Sequence, residues 1–405
     1  MTLILFWGAV AVIVYTYLLF PLMIFLRGAL KPRPIVSVEF DHQPQVSIVI
    51  AAYNEARGIE SKLKNLLSLD YPNDRMEVLI ASDGSNDGTD EIVKRYEGDG
   101  VKLLSLPRVG KATALNAAVA ASKGEILVFS DANSIYAPES LRALVQPFAD
   151  PQVGGVAGNQ RYLKQGVTSL TGYGERSYWG FDRMLKIFQS QAGNAISATG
   201  AIYAIRRQLF QTVPEGVTDD FVTSTRVIAQ GYRLVFANEA AAYEPVARTS
   251  RAEFGRKVRV ITRGLRAVIT MRMLLNPFRY GFYAVQLFSH KILRRLVVIP
   301  LLVLLLTSPL LWQMGRLYQV ATIAQIGFYS CAMMGLLVSG TRLGRVRLFT
   351  LPFFFCMVNT AALIAIINVL RGHRIDRWEP QRQETSDRGA PVRIAVQAPP
   401  EQSSS

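Results

Sequence analysis

The sequence predicts an α/β domain built on a mainly parallel sheet and joined to transmembrane α-helices. Three observations predict it. Apolar, β-branched runs alternate with helically spaced segments from Val46 onward, the pattern of a parallel sheet. Three of those runs stop at a carboxylate, at Glu55, Asp83 and Asp131. Four stretches carry no charge at all, Met1–Leu26, Leu296–Gly315, Leu317–Thr341 and Leu348–Leu370, and each has the roughly 20 apolar residues that cross a bilayer.

Residues 1–27 read as an N-terminal transmembrane helix. A cleaved signal peptide is disfavoured, because the segment lacks a basic start and a small-x-small cleavage site, and its apolar run is too long. Arg27, Lys31 and Arg33 follow it, which places its C-terminal end in the cytoplasm. Residues 28–45 form a Pro-rich linker, and residues 46–272 the cytoplasmic domain. Within it, "VSIVIAAYNE" (Val46–Glu55) reads as a strand buried on both faces. Residues 56–69 have helical spacing, with Ile59, Leu63, Leu66 and Leu67 on one face. Met76–Ser85 is a second strand, Asp87–Tyr96 a helix with Thr89 as its expected N-cap, and Val101–Pro107 a third strand. Lys111–Ser122 is an Ala-rich helix, and "EILVFSD" (Glu125–Asp131) a fourth strand. "GVAGNQRYL" and "SATGAIYAIRR" read as further strands, and "DDFVTSTRVIAQGY" as a helix opened by acidic residues. Residues 273–295 are expected to form an amphipathic helix in the membrane interface, residues 296–371 three more spans, and residues 372–405 a polar, disordered tail.

This layout carries a tension. One span before the domain and three after it leave the C-terminus outside. Arg371, His373, Arg374 and Arg377 ask for the cytoplasm instead. Either the bias is overridden or one segment does not cross, the candidates being Phe278–Arg295 and the segment containing Pro352.

Composition excludes some partners. Cys331 and Cys356 both fall inside expected spans, so neither a disulfide framework nor a thiolate metal site is expected. The net charge of +15 is compatible with nucleic acid, but the cations gather beside the apolar segments, at Arg256–Arg266, Lys291–Arg295 and Arg342–Arg347. Cations there meet membrane lipids, or in the first cluster a phosphorylated ligand. No nucleic-acid module is present, and no nucleic-acid partner is expected.

In a parallel sheet, ligands bind at the carboxyl ends of the strands, so Glu55, Asp83 and Asp131 converge on one rim. Lys111 follows Gly110 at a helix start, where a lysine and the helix N-terminus can neutralise a diphosphate; a solvated lysine is an equal alternative. Asp131-Ala132-Asn133 offers a carboxylate and a carboxamide oxygen, both hard ligands suited to Mg²⁺ or Mn²⁺. Asp219 and Asp220 open a helix, where acids are favoured in any case.

Taken in order, "AAYNE" (Ala51–Glu55), "SDGSNDGT" (Ser82–Thr89), "GKATALN" (Gly110–Asn116), "SDAN" (Ser130–Asn133), "TGAIYAIRR" (Thr199–Arg207), "TDD" (Thr218–Asp220) and "RKVRV" (Arg256–Val260) resemble the membrane-bound family 2 glycosyltransferases with a GT-A domain. The similarity is to the branch of poly-N-acetylglucosamine, chitin-oligosaccharide, hyaluronan and cellulose synthases, and it covers roughly Val46–Arg266. The resemblance implies a UDP-sugar donor bound by Ala52, Glu55, Asp83, Lys111, Asp131 and Arg259, with Asp83 accepting from the uracil N–H. It implies Mg²⁺ or Mn²⁺ on Asp131 and Asn133, where the family has Asp-x-Asp, and Asp220 as the catalytic base. It further implies an inner-membrane, multi-pass enzyme that transfers N-acetylglucosamine or glucose to a growing glycan or lipid-linked acceptor, with an accessory export or synthase subunit as a possible partner. Two departures stand out. Asn133 lacks the second charge of Asp-x-Asp, which predicts weaker metal affinity. Val260 stands where processive members carry a sugar-stacking Trp, which favours a rival reading, single transfer to a lipid carrier. A non-catalytic membrane scaffold is the third reading, and the joint presence of Asp83, Asp131 and Asp220 argues against it. Tyr178 and Trp179 offer an alternative sugar platform.

Overall fold

The computed structural model describes residues 1–36, 43–162, 170–244, 250–338, 341 and 346–373, with backbone alone at 170–179 and 250–252. The expected tail and the side chains of Tyr178 and Trp179 lie outside the described residues.

Eight strands form one sheet: β1 (Val46–Ala52), β2 (Met76–Asp83), β3 (Val101–Leu106), β4 (Ile126–Phe129), β5 (Ile135–Tyr136), β6 (Val153–Tyr162), β7 (Tyr203–Arg206) and β8 (Arg233–Glu244). Their order is β3-β2-β1-β4-β7-β6-β8-β5. The first four are parallel, β7 runs antiparallel to both β4 and β6, β8 returns parallel to β6, and β5 pairs antiparallel with β8. The expected mainly parallel sheet is therefore present, with two antiparallel insertions.

β1 explains the sheet's burial. Ile48, Ile50 and Ala52 pack with Ile59, Leu63 and Leu66 of the helix Ile59–Leu67. Val49 and Ala51 pack on the other face with Leu115, Ala118 and Val119 of the helix Lys111–Ala121. Alternate residues point to opposite faces, so helices on both faces demand the continuous apolar run that the sequence shows.

Several elements are shorter than expected. The helix begins at Ile59 rather than residue 56 because the amides of Gly58 and Ile59 both close a turn on the Glu55 carbonyl. Thr89 is not the N-cap of its helix (Thr89–Lys94). Gly88, at φ +93°, is the cap residue, and the Asp87 carboxylate accepts from the Thr89 amide at 3.1 Å. Of "SATGAIYAIRR" only Tyr203–Arg206 is strand; Ala198 upstream is tied by its amide to Ser224 Oγ at 3.0 Å. Two long helices, Leu170–Gln191 and Ser250–Thr270, were not assigned from sequence. Both are amphipathic and lie between domain and apolar segments, so neither shows a clean soluble or transmembrane pattern.

The linker is strapped to the domain. Arg233 donates to the carbonyls of Arg33 (2.7 Å) and Pro34 (3.0 Å), and the Val36 amide donates to Asp150 Oδ2 at 3.2 Å.

Among the described residues, three helices are long and apolar enough to cross a membrane: Thr2–Leu30, Arg316–Leu337 and Arg347–Leu370. The expected span Leu296–Gly315 departs from this pattern. Its helix, Val298–Leu310, has 13 residues, about 20 Å at 1.5 Å per residue, short of the roughly 30 Å apolar layer. It reaches span length only together with Phe282–Leu296, at a bend of 47°. The bent pair runs antiparallel beside the first helix. The Arg27 guanidinium lies 4.3 Å over the Phe282 ring and Tyr15 bonds Ser289 at 2.8 Å; at the far end of the first helix the Phe6 ring lies 5.0 Å from Tyr318 of the following helix, Arg316–Leu337. The amphipathic segment is thus the first half of a bent helix pair that only together has the length and composition of a span. Arg347–Leu370 packs along the domain helix Ser250–Thr270: Ile261 meets Ala361, Ala362 and Ala365, and Arg266 donates to the Gly372 carbonyl at 2.8 Å.

Gly124 precedes β4 and donates its amide to Ser47 Oγ at 2.6 Å. A Cβ there would press on the Ser47 amide and lie 2.6 Å from Val46 C. Gly124→Ala is expected to lower stability by about 1–3 kcal/mol, read as a reduced Tm in detergent.

Candidate active site

The β1 and β2 ends are clipped together. Asn54 sits at φ +53°, a left-handed conformation that asparagine tolerates. Its amide donates to Ser85 Oγ (3.1 Å), and its side-chain oxygen accepts from the Asn86 amide (2.9 Å). The Glu55 amide donates to Thr89 Oγ1 (2.9 Å), and the Ala56 amide to Asp87 Oδ2 (3.0 Å). The Ser82–Thr89 motif therefore shapes the turn that carries Glu55. Ala52 is fully buried at the end of β1.

Asp83 is also fully buried. Its Oδ1 accepts from the amides of Val109 (2.7 Å) and Gly110 (2.9 Å), and its Oδ2 pairs with Arg108. The Arg108 guanidinium stacks 3.4 Å from the centre of the Tyr53 ring. A ligand N–H that reached Asp83 would share it with Arg108, a residue absent from the sequence-based site.

The centre of the site is Lys111. Its Nζ lies 2.8 Å from Asp131 Oδ1 and 3.2 Å from Asp219 Oδ2. Burial works against the ammonium, but Asp131, Asp219 and Asp220 outweigh it and raise its pKa. Lys111 is thus not a solvated lysine: its partners here are the carboxylates of Asp131 and Asp219. Asp220 adjoins this pair. Burial and the neighbouring Asp219 push its carboxyl up to about 6, against Lys111 and the Phe221 amide, which donates to Asp220 Oδ1 at 2.7 Å. Gly200 crosses Asp131 so closely that a Cβ there would lie 2.7 Å from Asp131 Oδ2.

Further carboxylates surround Asp131. Burial, then Asp131 and Asp87, push Glu55 up to about 7. Glu244, at the end of β8, is pushed up to about 7 by burial and Asp131, although Gln160 donates to it at 2.6 Å. Sequence reasoning missed Glu244, since a strand-end acid on a distant segment carries no local signal. It also missed Lys62, fully buried beneath the Asp131 turn. Lys62 had a signal: it interrupts the apolar stripe Ile59, Leu63, Leu66 on the core face.

Asn133 is exposed in the turn after β4. Among the described residues no group of three or more His, Cys, Asp or Glu side chains is placed to hold a metal. Asp131 and Asn133 each carry an oxygen donor in the turn after β4. Oxygen donors of this kind suit hard cations, and the surplus of carboxylates suits a positive charge.

The basic helix Ser250–Thr270 does not simply face lipid. Arg256 grips the buried Glu253 through two bonds (2.8 and 2.7 Å), and Lys257 reaches the same carboxylate at 3.0 Å. Arg263 donates to the Val217 carbonyl at 2.6 Å, which anchors the loop leading into Thr218-Asp219-Asp220. Arg259 is partly exposed in mid-helix, one turn before Arg263.

Comparison with known proteins agrees with this geometry. Residues 47–213 match the model of Glycosyl transferase family 2. The chain is 26% identical over 230 residues to the poly-beta-1,6-N-acetyl-D-glucosamine synthase of Staphylococcus aureus, covering 55% of this chain and 53% of that protein. It is 28% identical over 212 residues to the probable glycosyltransferase YdaM of Bacillus subtilis, covering 50% of each. The chain thus spans about half the length of the curated relatives it matches. Among solved structures, a mannosyltransferase of Pyrobaculum calidifontis in complex with GDP-Man and Mn²⁺ superposes with a TM-score of 0.67 at 24% identity, over 90% of this chain and 99% of that one. Sheet order and family match converge: residues 47–213 carry the match to Glycosyl transferase family 2, on a GT-A fold.

Proposed function

We propose that the protein is a membrane-bound inverting glycosyltransferase that moves N-acetylglucosamine or glucose from a UDP-sugar to a growing glycan or lipid-linked acceptor. The observation that carries it is the Lys111 bridge between Asp131 and Asp219, with the basic carboxylate of Asp220 beside it. Lys111 brings positive charge to the rim where a diphosphate would lie, and Asp83 and Ala52 line the nucleotide end of that rim. Asp220 takes the proton of the acceptor hydroxyl while the hydroxyl oxygen bonds to the anomeric carbon. The bond from that carbon to the diphosphate oxygen breaks, and UDP leaves with its electron pair. Asp131 and Asn133 would hold Mg²⁺ or Mn²⁺, which when bound neutralises charge on the leaving diphosphate. Arg263 positions Asp220 through Val217, and Arg259 completes the basic side of the diphosphate site.

Single transfer to a lipid carrier is the second reading. Lys291, on the bent pair, lies 5.6 Å from the centre of the Phe221 ring, so the residue next to the proposed base packs against the bent pair. Val260 in place of Trp points the same way.

We further propose that the C-terminus lies on the cytoplasmic side with the catalytic domain, in the inner membrane of a bacterium. Gly335 meets Phe349 at the start of Arg347–Leu370, and Gly372 at its end is held by Arg266 of the domain. The companion helix Ser250–Thr270 carries Glu253, Arg256, Lys257, Arg259, Arg263 and Arg266, too many charges for the apolar layer. In this arrangement Arg347–Leu370 lies obliquely at the cytoplasmic face and does not cross. The first helix, the bent pair and Arg316–Leu337 make three crossings. The clusters at Arg27–Arg33, Arg256–Arg266 and Arg342–Arg347 then fall on one side, as positive-inside requires, while Lys291, Arg294 and Arg295 lie within the bent pair.

Purified protein offered UDP-N-acetylglucosamine, UDP-glucose and GDP-Man is expected to release UDP from one UDP-sugar in a metal-dependent way. Asp220→Asn should lower that rate by on the order of 100- to 10,000-fold; an unchanged rate removes Asp220 as the base. Because the base works deprotonated, the wild-type rate should rise with pH through about 6 and level off above it. Gly200→Ala should push Asp131 off Lys111 and cost about 100-fold in kcat/KM, with Tm nearly unchanged. A reporter fused after His373 should be active only on the cytoplasmic side; external activity would restore a fourth crossing.

A further inference from the structure

The helix Ile59–Leu67 turns two polar side chains toward the sheet, and both grip the segment that holds Asp131 and Asn133. Lys62 Nζ lies 2.7 Å from Ser130 Oγ, 2.7 Å from the Ser134 carbonyl and 3.2 Å from Ser134 Oγ. The same ammonium sits 4.1 Å from the centre of the Tyr136 ring. One turn on, Asn65 makes a two-way bond with the Tyr136 backbone: its Nδ2 donates to the Tyr136 carbonyl (2.9 Å), and its Oδ1 accepts from the Tyr136 amide (2.7 Å). The contacts therefore bracket Asp131–Asn133 on both sides, at residues 130, 134 and 136. Ser134 Oγ closes the turn from within by donating to the Asp131 carbonyl at 2.9 Å.

Stability alone does not explain a lysine here. Lys62 is fully buried, among Ile59, Leu63, Ala132 and Tyr136. Taking a cation out of water is costly, and an apolar side chain of similar volume at such a place is often neutral or stabilising. What an apolar residue would not supply is three directed donors that fix a turn of small residues, Ser130-Asp131-Ala132-Asn133-Ser134, whose own side chains fill little space. A turn whose two oxygens are to meet one cation has to be held to within roughly half an ångström.

We propose that Lys62, seconded by Asn65, is the positioning residue of the Asp131-x-Asn133 turn, holding both side-chain oxygens in register for a divalent cation and the diphosphate it would accompany. The proposal rests on the reading of Asp131 and Asn133 as the cation-holding pair. Lys62 hydrogen-bonds neither residue's side chain; its charge lies near Asp131 and Glu244, and its directed contacts to the turn run through Ser130 and Ser134.

The test compares UDP binding to the full-length detergent-solubilised protein by calorimetry, with Mn²⁺ and with chelator, alongside Tm. Lys62→Met keeps the length of the side chain and removes the donors. It should weaken Mn²⁺-dependent UDP binding by about 10-fold or more, the range for loss of a residue that orients a metal ligand, while metal-free UDP binding stays within about 2-fold. Lys62→Arg, which restores donors, should recover part of the loss. Leu63→Ala, a core change on the same helix, should lower Tm without a selective loss of the Mn²⁺ effect. If Lys62→Met does not fold, Ser130→Ala removes one acceptor with Lys62 in place and should show the same selective loss, smaller in size. Equal weakening with and without Mn²⁺, or a Mn²⁺ effect untouched in Lys62→Met, overturns the proposal. A wild-type protein whose UDP binding ignores Mn²⁺ overturns the cation reading itself, and this one with it.

Discussion

The architecture of the site follows from one constraint: like charges that converge at the end of a sheet must be neutralised. Asp131 ends β4, Asp219 and Asp220 open the helix Asp219–Ala229, and Glu55 and Glu244 close in from β1 and β8. In a buried site these groups cannot all ionise together without a counter-charge. Lys111 supplies one, at 2.8 and 3.2 Å from two of them. Burial and this crowding together raise the pKa values of Glu55, Asp220 and Glu244, while Arg256 and Lys62 supply further counter-charge toward Glu244. The same imbalance makes the rim receptive to a cation that arrives with a ligand.

The rim itself was legible in the sequence. A strand that ends in Asp reads the same way in one dimension as in three, because parallel strands stop on a common edge. Asp83, Asp131 and Asp220 were found by that rule together with their motif spacing. What the sequence hid is long-range. Arg108 meets Asp83 across a strand-to-helix loop. Glu244 reaches the Asp131 neighbourhood from more than a hundred residues away. Lys62 looked like one more charged residue on a short amphipathic helix, although its place in the apolar stripe marked it as buried. Thr89 was misread as a cap because Thr is a good N-cap in general; here Asp87, two residues earlier, already accepts the amide.

The apolar segments were legible as composition but not as paths. Leu296–Gly315 has the residues of a span, yet its helix stops at Leu310 next to Pro309, and the run is completed from the N-terminal side by a segment that reads as amphipathic. Its mixed character has a structural cause. Tyr283 and Leu287 pack into the domain beside Ala267 and Val268, while the other face lies along the first helix. A segment that serves two surfaces shows the periodicity of neither.

The strap at residues 33–36 bears on how the catalytic part can be isolated. Only Lys31 and Pro32 separate the end of the first helix at Leu30 from the residues that Arg233 and Asp150 hold. Arg233 is itself buried; two of its donors end on carbonyls of the strap, and its other partners are the Gly193 carbonyl and the Asp150 carboxylate. Cutting the chain just before β1 would take away both strap acceptors, the cost of buried donors that lose their partners. A soluble fragment of this domain should therefore begin upstream of Arg33, with the apolar helix trimmed and the strap kept.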